Sequence, residues 1–167
     1  MTKFLNFMAR TPVILTLFIA SAIIAYGFSY FRDALGGIFL DMIYTGKAAQ
    51  AQLAEMTQAQ KQAHIHATLM LDILFPLALG GYMMGIAARL TKNMRTWAVL
   101  PAMVAIITDL CENTVQVLAL SGTMDVLFLK TFLTPVKYAA FYTAALLALV
   151  LLARAAFKWI RARRKGT

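Results

Sequence analysis

Residues 97–120 read WAVLPAMVAIITDLCENTVQVLAL, and the reading of this stretch decides the fold. It is apolar over a length that suffices for a hydrocarbon core of roughly 30 Å, which takes about 20 helical residues. Two acids interrupt it. On a membrane-insertion scale a central Asp costs roughly 2.5–3.5 kcal/mol and each Leu, Ile or Val returns about 0.3–0.6 kcal/mol. Treating Glu112 like Asp109, the two acids cost about 5–7 kcal/mol, and the ten Leu, Ile and Val residues return only about 3–6 kcal/mol. Such a helix is poorly suited to facing lipid on all sides. Asp109, Glu112, Asn113 and Gln116 fall at i, i+3, i+4 and i+7, so all four share one face. The segment therefore reads as a transmembrane helix that turns a polar face into a bundle.

The rest of the chain supplies the bundle. Of the 167 residues, 61% are hydrophobic and 14% charged, and mean hydropathy is +0.71. Ordinary soluble domains are about 45–50% apolar and about 25% charged, so a disordered tail protein is excluded and a water-soluble globule is disfavoured. Three further spans lie at residues 12–31, 65–90 and 132–157, the first opening on Thr11-Pro12, a good helix start. In lipid each must be helical, because the backbone has no water to bond. The fold class is thus all-α: one integral membrane domain, a four-helix bundle, with a partly helical outer loop between the first two helices. A cleaved signal peptide is the competing reading of the first span, from Lys3, Arg10 and the small residues Ala20-Ser21-Ala22. Unbroken hydrophobicity from Ile23 to Phe31 favours an uncleaved anchor.

Charge sets orientation. With the N-terminus inside, the inner segments hold eleven of the 16 basic residues: Lys3, Arg10, Arg89, Lys92, Arg95, Arg154, Lys158, Arg161, Arg163, Arg164 and Lys165. Arg32, Lys47, Lys61 and Lys130 fall outside, with the acids Asp33, Asp41, Glu55 and Asp125. This is the positive-inside pattern, and it puts both termini in the cytoplasm. Trp97 and Trp159 fall at the inner boundary, where indoles sit well. The run Arg161 to Lys165, in the basic tail 158–167, reads as a topology anchor beside anionic lipid rather than a nucleic-acid patch. The only cysteine, Cys111, precludes an intrachain disulfide or a cysteine-based metal site, and no metal is expected.

The outer loop, residues 33–64, is too long for a simple turn. Gly36-Gly37 and Gly46 punctuate it, Ile38 to Tyr44 is apolar enough to lie on the membrane surface, and the Ala- and Gln-rich stretch 47–64 favours helix. Thr57 and Gln60 have the spacing of a capping box, so a helix starting there is expected to run into the second span. His64 and His66 point to nearly opposite helix faces and cannot chelate one ion together. His64 shares a face with Thr68 and Asp72, and reads as a solvated interfacial residue.

At about 1.5 Å per residue, Asp72, Asp109, Glu112 and Lys137 fall in one layer in the outer half of the bilayer, with Gln116 slightly further out. Tyr26, Ser29 and Tyr30 reach that depth from the first span, and Tyr138 and Tyr142 from the fourth. Lys137 is the expected partner of Glu112 or Asp72, since an unpaired ammonium in hydrocarbon costs several kcal/mol or loses its proton. One lysine cannot neutralise Asp72, Asp109 and Glu112 together, so at least one is expected to be protonated unless a bound cation or water shares the layer. Pro76, one turn after Asp72, is expected to leave a backbone carbonyl free beside the site. Gly81-x-x-x-Gly85 allows close helix approach, read as packing within the chain rather than as a homo-oligomer face. The ten methionines are apolar filling.

Asp72-Ile-Leu-Phe75-Pro76, Asp109-Leu-Cys-Glu112-Asn113 and Thr134-Pro-Val-Lys137 resemble the D-x-x-F-P, D-x-x-E-N and T-x-x-K signatures of an uncharacterised family of small four-span bacterial inner-membrane proteins. The resemblance covers about Asp41 to Tyr142. It implies four spans and marks Asp72, Asp109, Glu112, Asn113 and Lys137 as a set, without implying an activity or a cofactor. P-loop, H-E-x-x-H, G-x-S-x-G and haem-attachment motifs are absent.

Three functions fit this reading. The first is binding or transport of an amphiphilic small molecule or cation in a polar pocket built from Asp72, Asp109, Glu112, Asn113, Gln116, Lys137, Tyr138, Tyr26 and Tyr30. The second is an intramembrane enzyme acting on a lipid or isoprenoid-like substrate. There Asp109 or Glu112 would be general acid or base, with Asn113, Tyr138 or Lys137 stabilising developing charge; sterol-isomerase-type bundles are an analogy of fold only. The third is an assembly subunit whose buried charges pair internally or with another copy's helices. Bulky polar substrates are disfavoured, because four helices leave little interior volume.

Overall fold

The computed structural model describes residues 2–91 and 94–164, so Lys92 and Lys165, counted above among the inner charges, lie outside the described residues. All described regular structure is helical. A short helix α1 (Thr2–Met8) precedes α2 (Thr11–Phe31), which carries Pro12 in its first turn, where a missing N–H costs nothing. A 3-10 turn (Leu40–Met42), α3 (Gly46–Glu55) and α4 (Gln58–Ala67) form the connection to the second long helix. After a π-helical turn at Thr68–Asp72 that helix continues as α5 (Leu74–Leu90). The short α6 (Arg95–Ala98) leads into α7 (Leu100–Leu120), and a 3-10 turn (Leu127–Leu129) leads into α8 (Lys130–Arg164). Four helical stretches, Thr11–Phe31, Gln58–Leu90, Arg95–Leu120 and Leu127–Arg164, are long and apolar enough to cross a membrane. All four reach beyond the segments expected from composition, the first by a single residue. The second begins early because Thr57 and Gln60 close the expected capping box, each side chain bonded to the other's backbone. The fourth carries the tail residues 158–164 as further helix.

Helix α5 is the hub and packs against α2, α7 and α8, with α7 and α8 also in extensive contact. Its glycines permit this. A Cβ at Gly85 would stand 2.7 Å from the Met8 carbonyl oxygen and one at Gly81 would stand 3.2 Å from Leu17, so the Gly81-x-x-x-Gly85 face is spent on α1 and α2 within the chain. The cap end is equally close. Gly46 donates its N–H to Thr131 Oγ1 (3.1 Å), and a Cβ there would lie 2.4 Å from the Leu127 carbonyl oxygen. α3 is thereby seated on the start of α8.

Two apolar clusters result. One joins Met83, Met84, Ile86 and Ala87 of α5 to Leu5, Ile14, Ala102, Ala148 and Leu151. The other joins Leu40, Ala49 and Met56 of the cap to Val115, Ala119, Leu120 and Leu127. Between them along the helices lies a layer of ionisable side chains.

Candidate functional site: a charged layer beside an apolar cavity

The polar face of α7 forms as its spacing requires: Glu112, Asn113 and Gln116 are buried and Asp109 is half-buried, while Cys111 is exposed. Opposite stands a matching stripe on α8, Lys130, Thr134 and Lys137, at i, i+4 and i+7 and buried throughout. Glu112 and Lys130 are both 0% exposed and form an ion pair, and Thr134 Oγ1 donates to the same carboxylate at 2.6 Å. The other Glu112 oxygen lies 2.7 Å from Lys137 Nζ.

Lys137 is shared. Its ammonium lies 2.5 Å from Asp41 Oδ1, 2.7 Å from Glu112 and 3.5 Å from Asp109 Oδ1. Asp41 and Lys130, counted among the outer-loop charges on sequence grounds, thus belong to the layer. Leu40, 1% exposed in the cap-end cluster, anchors the 3-10 turn that carries Asp41 over the helices. Gln116 Nε2 adds a long contact to Asp41 Oδ1 at 3.4 Å. With Asp72, the layer therefore holds two lysines and four carboxylates, where the sequence suggested one lysine and three. Oxygens of Asp41, Asp109 and Glu112 lie within 4.8 Å of one another, a spacing suited to a cation. The Lys137 ammonium is the cation that meets them.

Asp72 sits apart. Its carboxylate has one side-chain hydrogen bond among the described residues, accepted from the Thr68 hydroxyl at 3.5 Å, and no ammonium pairs with it there. Its backbone is held instead. Pro76 lacks the N–H that an α-helix would direct at the Asp72 carbonyl, and Asn113 Nδ2 donates to that oxygen at 2.9 Å.

Asp41, Asp72, Asp109, Lys137 and Tyr138 border one end of a cavity of about 180 Å³ between α5, α7 and α8. Further along the helices its walls are Leu79, Gly80, Met83, Ala105, Ile106 and Phe141, wholly apolar. Tyr138 stacks between Tyr44 and Tyr142, with centroids at 5.1 and 6.0 Å, and Lys137 Nζ lies 5.1 Å from its ring centre.

Not every residue marked in the sequence comes here. Tyr26 and Tyr30 are 67% and 73% exposed and pack edge-on against each other. The inward face of α2 includes Ile14, Ser21 and Phe28, seven apart, and both tyrosines lie about 160° around the helix from Phe28. His64, expected to be solvated, is buried, and its Nε2 has no hydrogen-bond partner among the described residues. His66 is exposed. The α8 stripe was detectable by its helical spacing; only a predicted span beginning at residue 132 hid it. Asp41 has no periodic signal, because a loop brings it in.

No protein-family model matches the chain, and no curated protein or solved structure matches it either.

Proposed function

We propose that this chain is an integral protein of the bacterial inner membrane, with both termini cytoplasmic, that binds a small amphiphile in the cavity between α5, α7 and α8. The observation that carries this reading is the cavity's division: carboxylates and an ammonium at one end, aliphatic and aromatic walls at the other. Such a lining suits a molecule with a polar head and an apolar body. From Asp72 to Met83 the wall runs eleven residues, about 16 Å of helix. Membrane placement is supported by the outward faces, where Phe18, Ile23, Phe132, Leu146, Leu149 and Phe157 are exposed, a surface that soluble monomers rarely present. Intramembrane ionisable groups are costly and mark functional sites by default. With two ammoniums against four carboxylates, the head is expected to be cationic or to arrive with a proton.

Native mass spectrometry of the protein extracted from its membrane tests this. A bound species of defined mass is expected on the wild type and on a surface control, Lys47→Ala. It is expected to be lost from Leu79→Trp, which fills the apolar end, and weakened in Asp72→Asn. A wild type free of bound lipid or small molecule, or a ligand retained by Leu79→Trp, would refute the reading.

A further inference from the structure

A second cavity adjoins the first. It measures about 290 Å³ and is lined by Phe28, Phe39 and Phe75 together with Asp41 and Asp72. Phe28 braces the other two rings: it meets Phe39 at 5.8 Å and 77°, and Phe75 at 5.9 Å and 87°, both edge-to-face. Each ring comes from a different element: α2, the cap loop and α5. Asp41, Met42, Asp72 and Phe75 border both cavities, so the two meet at the aspartates.

We propose that this phenylalanine-lined chamber is a cage for a methylated ammonium group, the head of an amphiphile whose apolar chain runs past Phe75 into the deeper cavity. This rests on the amphiphile-binding reading above and names the chemistry of the head. Ring faces attract a cation most when it is desolvated, and the neighbouring Asp72 carboxylate has no ammonium of its own among the described residues. A primary ammonium brings three N–H donors that need acceptors. The chamber offers few, only the Asp72 carboxylate and the Asp41 oxygen that Lys137 leaves free, since no hydroxyl or amide side chain lines the wall. A quaternary ammonium brings none and loses nothing there. The same head occurs on phosphocholine lipids and on free cationic amphiphiles.

The test is competition by native mass spectrometry, with the full chain in maltoside micelles. The probes are dodecyltrimethylammonium, dodecylammonium, and the same chain ending in a neutral tert-butyl group. Wild type is expected to favour the trimethylammonium probe over the neutral isostere by about tenfold, within the range of a desolvated cation–π contact, and over the primary ammonium as well. Phe28→Leu, or Phe39→Leu should the first not fold, is expected to erase that preference and keep binding of the common chain. Dodecylphosphocholine as a fourth probe separates the sources: binding equal to the trimethylammonium probe assigns a phosphocholine lipid, and exclusion assigns a free cation. Equal binding of cation and isostere, or a preference unchanged by both leucine variants, overturns the cage and leaves the amphiphile site standing. Failure of every probe to bind overturns both.

Discussion

The Asn113 side-chain amide donates to the main-chain carbonyl of Asp72 at 2.9 Å, the carbonyl that Pro76 deprives of its helical donor. A π-helical turn at Thr68–Asp72 immediately precedes it. One side chain of α7 thus mends a break in the neighbouring helix and fixes where the Asp72 carboxylate stands.

Asn113→Leu is expected to cost about 1–3 kcal/mol, the usual penalty for a buried polar group left unpaired. In a Pro76→Ala background the loss should be markedly smaller, since residue 76 then offers its own N–H. Unfolding curves for the two single variants and the double variant measure the coupling, and additive losses would contradict the repair.

Removing one partner of a buried ion pair costs about 3–5 kcal/mol, because the other charge stays behind unpaired. Glu112→Gln is therefore expected to destabilise the fold by that amount, by stranding the Lys130 ammonium, which is 0% exposed. Adding Lys130→Met should recover more than half of it, with Thr134 still bonded to the new amide. Chemical denaturation of the single and double variants in micelles reads this directly.

Gly85→Leu should lower the melting temperature without altering the oligomeric mass, because its side chain would enter main-chain atoms of α1 in the same chain. Size-exclusion chromatography with light scattering separates this from loss of a dimer.

Membrane sidedness can be read from thiol labelling in a Cys111→Ser background. A membrane-impermeant maleimide is expected to label Lys47→Cys on intact cells, and Lys158→Cys only after permeabilisation. The reverse pattern would invert the proposed topology.

Much of this molecule is legible in its sequence, for physical reasons. Helices long enough to span lipid declare themselves by composition. The α7 face is visible because four polar residues at helical spacing have nowhere else to go, and Pro76 announces a free carbonyl four residues before it. The extra contributors were harder. Lys130 lies one turn before Thr134 and two before Lys137, yet its stretch looks like a connecting loop until the helix is seen to start there. Asp41 lies outside any periodic segment. Its place depends on Leu40 finding an apolar cluster and on Gly46 allowing the cap to touch Leu127, contacts between residues far apart in the chain. The phenylalanine chamber is illegible for the same reason, since its rings arrive from three elements.

Because Lys137 is held in common by Asp41, Asp109 and Glu112, a cap turn and a neighbouring helix share one counter-ion with the helix that bears it. Neutralising any one carboxylate releases the ammonium to the other two, so single substitutions there will understate what the trio does together. The cap and the polar face of α7 are accordingly not separate modules: a perturbation of residue 41, in a loop, is felt at residue 112, in the core, through a single shared proton-bearing nitrogen.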